Sequence, residues 1–89
     1  MQHEKVQRLS LVGQKFGELS SFTETETERV VRELAEELGV KAAKLIHPIR
    51  LAVTGKQVGP GLFEMLEVLG KKRVTDRIAR FVALSSSQA

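Results

Sequence analysis

The side chains able to do chemistry are few in this chain, and most lie near its middle. Ala43, His47, Arg50 and Thr54 recur at steps of three and four, so at about 100° per residue they share one stripe of a helix. An imidazole, a planar guanidinium and a hydroxyl in line can read a phosphate or the edge of a base. The same groups are equally at home as ordinary solvated surface. The stripe leads into Thr54-Gly55-Lys56-Gln57-Val58-Gly59-Pro60-Gly61, three glycines and a proline in eight residues, which read as a loop. Glycine lets a ligand come close to the main chain. Pro60 offers a flat apolar surface, and the free N–H groups at the start of a following helix suit an anion. A plain helix-to-helix connector explains the same residues.

A second cationic group, Lys71-Lys72-Arg73, falls at a helix start, where the dipole disfavours positive charge. Such a local conflict marks a phosphate contact or simply solubilising surface. Catalysis finds little support. Cysteine and tyrosine are absent, and of the two histidines His3 lies at the terminus, leaving His47 as the only candidate general base. No nucleophile elbow, zinc-binding helix, phosphate-loop lysine or paired-carboxylate arrangement is present. Without cysteine there is no disulfide and no thiolate metal site.

The charge is unevenly spread. Residues 1–40 hold five Lys/Arg against eight Glu, a net −3, whereas residues 41–89 hold nine Lys/Arg against three acids, a net +6. That asymmetry fits a polyanion meeting one end of the molecule. With 89 residues, 42% hydrophobic and 28% charged, the chain suits one small globular domain. No apolar run approaches the roughly 18 residues of a spanning helix, and no signal-peptide pattern opens it.

The elements that must position these residues are helical throughout. Val6, Leu9, Val12, Phe16 and Leu19 form one stripe of a first helix, interrupted by Gly13 and Gly17. Thr23 with Glu26 makes a capping box for a second helix, and Thr25 with Glu28 gives the same pattern two residues later. That helix is expected to bury Val30, Val31, Leu34, Ala35 and Leu38, to stop at Gly39, and to pair Arg29 with Glu33 and Arg32 with Glu36. A third helix, about Lys41 to Thr54, turns Ala42, Leu45, Ile46, Ile49, Ala52 and Val53 inward. Pro48 lies inside it, which predicts a kink that frees the carbonyl of Lys44. A fourth helix starts with Gly59 as N-cap and Pro60 in first position, buries Leu62, Met65, Leu66 and Leu69, and ends at Gly70. A fifth faces Val74, Ile78 and Phe81 inward, with Arg73, Arg77 and Arg80 on a neighbouring stripe, before a frayed tail over 85–89. The expectation is an all-α bundle of about five short helices forming a single domain over 1–89.

Taken in order, Leu34-Ala35-Glu36-Glu37-Leu38-Gly39-Val40-Lys41-Ala42, the run Lys44 to Gly55 through His47-Pro48-Ile49-Arg50, Gly59-Pro60-Gly61-Leu62-Phe63-Glu64 and Leu69-Gly70-Lys71 resemble one family. It is the C-terminal anticodon-binding subdomain of bacterial glutamyl-tRNA synthetases, class I enzymes. The resemblance covers about 22–82, with 1–21 similar only as a helix of suitable periodicity. It implies an RNA-binding set of Arg50, Gly59, Pro60, Gly61, Leu62, His47 and Lys44, with Arg50 as the base-reading arginine. Main-chain groups and the proline of the loop would meet splayed-out anticodon bases.

The resemblance further implies that this chain is a non-catalytic fragment of a cytoplasmic synthetase. Its partners would be the anticodon loop of the glutamate tRNA and the remaining domains of the parent, with no membrane involved. ATP and magnesium would serve the parent's separate catalytic domain, with no cofactor held here. A helical protein-interaction module that binds no RNA is the alternative.

Overall fold

In the computed structural model, which describes residues 2–56 and 61–87, the leading helix packs far more intimately than its glycines suggest. Helix α1, Gln2–Glu18, lies along α5, Lys71–Ser87. A Cβ built on Gly13 would stand 3.2 Å from Cγ2 of Ile78. The absence of a side chain there is what lets the two helices approach. Leu9, Val12 and Phe16 of α1 are buried, and Phe16 meets Phe22 edge to face with ring centroids 5.5 Å apart.

Helix α2, Glu24–Leu38, takes the earlier of its two possible starts, with Thr23 as N-cap. The Thr23 hydroxyl accepts the Glu26 N–H at 3.1 Å. The other half of the capping box is replaced, because Glu26 turns to Arg29 at 2.6 Å. The first-turn N–H of Glu24 instead donates to the Glu67 carboxylate at 2.6 Å. At the far end, Gly39 has φ 69°, its N–H donates to Glu36 O and that of Val40 to Ala35 O, a Schellman turn. Two expectations need correction. Arg32 pairs with Glu28 at 2.9 Å rather than with Glu36, the orientation with Glu on the N-terminal side being the better one. Leu38 is exposed, because the left-handed turn makes Val40 the residue that packs inward.

Helix α3, Ala43–Thr54, starts two residues later than expected, after a tight turn in which Leu45 N–H donates to Ala42 O. It buries Leu45, Ile49 and Val53 and contains Pro48. Helix α4, Leu62–Leu69, is capped by Gly61 at φ −49°, ψ 125°. Gly61 is therefore extended and outside the helix, so the expected start at Gly59 moves forward. Gly59 and Pro60 themselves lie outside the described residues. Helix α5 runs on to Ser87, past the expected end near residue 85. Once nucleated, a helix adds residues at little cost and serine does not forbid it.

Between α4 and α5 the chain turns on one residue. Gly70 sits at φ 91°, ψ 158°, a region essentially closed to side-chain-bearing residues. Its N–H closes α4 on Leu66 O while its carbonyl accepts the Val74 N–H of α5. The five helices close round Leu9, Val12, Phe16, Val31, Leu45, Ile49, Leu66, Val74 and Ile78. The described residues form an all-α bundle without strands. Gly70→Ala is expected to cost about 1–3 kcal/mol, read as a lower midpoint in urea unfolding with the slope unchanged.

Candidate nucleic-acid interface

The candidate stripe is built on the outer side of α3, and the structure separates what its residues can offer. Lys44 and His47 are exposed, while Arg50 and Thr54 are half-buried. Arg50 takes part in an interaction of its own. The Thr54 hydroxyl already has partners. It donates to Arg50 O at 2.8 Å and to Lys56 O at 3.2 Å, and accepts the Lys56 N–H at 3.0 Å. It closes the helix end instead of standing ready for a ligand. Gly55 follows at φ 77°, donating its N–H to Leu51 O.

Helix α3 therefore ends in a fixed corner, and the fifth helix adds to it. Arg77 of α5 donates from Nη1 to Val53 O at 2.9 Å, a cation on the negative end of α3. Spacing within the chain could not reveal this, since the partners are 24 residues apart. Lys71 does likewise for α1, donating to Leu19 O at 3.0 Å. One member of the basic cluster at the start of α5 thus has a structural task, while Lys72 and Arg73 are exposed.

Beyond the corner, Gly61 is exposed, but Leu62 is only 3% exposed and belongs to the core. A side-chain contact from Leu62 to a ligand is excluded, leaving its main chain alone. The four phenylalanines also point away from a stacking role. Phe16 is buried, and Phe22, Phe63 and Phe81 pack against the core. No base-stacking aromatic platform of the sheet-type RNA binders exists among the described residues. Nor do three His, Asp or Glu side chains gather there as a metal site. No helix of the described residues is long and apolar enough to cross a membrane.

The described residues thus form a five-helix bundle in which the end of the third helix is closed by its own hydrogen bonds. A family model described as "Anticodon binding domain" matches residues 1–82, and the chain belongs to that family. The match takes in α1, for which the sequence offered periodicity alone.

Among similar proteins is Glutamate–tRNA ligase 2 of Caldicellulosiruptor saccharolyticus, 56% identical over 62 residues, 70% of this chain and 13% of that protein. Glutamate–tRNA ligase of Desulfotalea psychrophila is 43% identical over 70 residues, 79% of this chain and 14% of its own. Glutamate–tRNA ligase 2 of Fervidobacterium nodosum is 40% identical over 84 residues, 94% of this chain and 18% of its own. The chain spans less than a fifth of the length of these relatives.

If the Thr54 hydroxyl organises the corner, Thr54→Val should cost about 1 kcal/mol of stability. Amide exchange should quicken locally at Lys56, whose N–H loses its acceptor, while amides in the middle of α2 keep their protection.

Proposed function

We propose that this chain binds the anticodon loop of the glutamate tRNA as the anticodon-binding part of a glutamate–tRNA ligase. The observation that carries the reading is the family match across 1–82, joined to relatives that are glutamate–tRNA ligases. The geometry of α3 supports it. Exposed His47 and Lys44 and a half-buried Arg50 stand on the helix that leads into an organised end at Thr54.

Unpaired loop bases expose their Watson–Crick edges, so a few donors on a rigid support suffice to read them. On this reading Arg50 is the discriminating donor, its planar fork matching two acceptors at once. Lys44 and His47 add donors along the same helix. The main chain at Gly59, Gly61 and Leu62, with Pro60 as a flat surface, completes the contact. Phosphate attraction to the cationic half supplies affinity that falls steeply with salt.

Glutamate activation with ATP and magnesium belongs, on the same reading, to other domains of a cytoplasmic parent enzyme. Residues of this chain neither bind those groups nor take part in that step.

Arg50→Ala tests the reading directly. It should weaken binding of a glutamate-tRNA anticodon stem-loop by about 1–3 kcal/mol, measured by titration at constant salt, while circular dichroism shows unchanged helix content. Equal affinity for wild type and variant would remove Arg50 from the interface.

A further inference from the structure

The arginines of α2 and those of α5 differ in what holds them. Those of α2 are tied to carboxylates, Arg29 to Glu26 and Glu33 and Arg32 to Glu28, at 2.6–3.0 Å. Those of α5 are not. Arg73, Arg77 and Arg80 follow at i, i+4 and i+7, all exposed. Arg77 fastens the middle of this row to the last turn of α3 through Val53 O, one turn from Arg50.

Asp76 is the only acid in α5. It lines a groove of about 500 Å³ on the α1 side of the helix, with Ser10, Gln14 and Thr75.

On the reading of this chain as an anticodon-loop binder, we infer that Arg73 and Arg80, keyed to α3 by Arg77, form a second contact surface. It takes the phosphodiester backbone of the RNA beside the loop. Folding gives these two side chains no task. Lys71, in the first turn of α5, is explained by its bond to Leu19 O. Arg73, in the same turn, meets the positive helix end without that return.

An exposed cation contributes little to stability. The same cation contributes to nucleic-acid affinity by releasing counterions from the phosphates it neutralises. Arg73 and Arg80 lie about 10 Å apart along the axis, close to a Debye length at moderate salt, so their fields reinforce one another. Their place beside the end of α3 puts that field next to the loop-reading residues rather than on an unrelated face.

The test compares three forms of the chain in titrations of an anticodon stem-loop RNA at several salt concentrations. Arg73→Gln with Arg80→Gln removes the proposed surface and leaves Arg77 in place. Arg29→Gln with Arg32→Gln removes the same net charge from α2. Two lost phosphate contacts mean that wild-type affinity should fall about tenfold more than that of the α5 variant between about 50 and 200 mM salt. The α2 variant should keep the wild-type slope.

An α5 variant with the wild-type slope overturns the inference, and so does an equal loss in both variants, which would report net charge alone. If Arg50→Ala weakens binding while the α5 variant does not, the anticodon-loop reading stands and this surface falls. If the wild-type chain fails to bind the stem-loop even at low salt, both fall together.

Discussion

The turn at Gly70 is the constraint on which the arrangement rests. Its backbone, at φ 91° and ψ 158°, sets the direction in which α5 leaves α4. Three long-range polar contacts radiate from that corner. Glu67, just before it, reaches the N-terminus of α2; Lys71, just after it, reaches the C-terminus of α1; Arg77, farther along, reaches the C-terminus of α3. In each case the sign of the charge opposes that of the helix end it meets. A short glycine hinge thus becomes a clamp on three other helices. Any residue with a Cβ at position 70 would disturb all three contacts through one pair of dihedral angles.

The sequence was informative wherever a property is local. Helical periodicity placed most of the inward-facing residues, Leu38 excepted, and the threonine cap and the stops at Gly39 and Gly70 follow from chemistry within a few residues. It was uninformative where partners are distant. Nothing in the neighbourhood of Glu67 signals the Glu24 N–H, 43 positions away. Gly13 looked like a weakness in a helix until the approach of Ile78 supplied its reason.

The candidate site divides in the same way. The stripe through His47 and Arg50 was legible from spacing. By contrast, the commitment of the Thr54 hydroxyl to its own helix end depended on the loop's course. Burial of Leu62 depended on where α4 begins, a boundary that glycine and proline together leave ambiguous.

The uneven charge of the two halves also acquires a physical meaning. On the surface of α2 the arginines of the acidic half are paired with carboxylates, and Arg29 is held more firmly cationic by the hydrogen bonds it donates to Glu26 and Glu33. The six glutamates of α2 outnumber those two arginines, so the helix pairs each arginine and stays net negative at −4. The basic half contains too few acids to do the same. Its excess emerges along α3 and α5, the two helices joined by Arg77. An approaching polyanion would be drawn toward that edge and turned away from α2.

The lengthwise packing of α1 on α5 bears on how this unit can be divided. Leu9, Val12 and Phe16 supply one wall of the interior, so the part that looks most dispensable by motif is an integral layer. A cleavage made ahead of residue 22 would open the hydrophobic centre to water along the length of Val74 and Ile78. Such a cut leaves four helices with an uncovered flank, not a smaller copy of the same object.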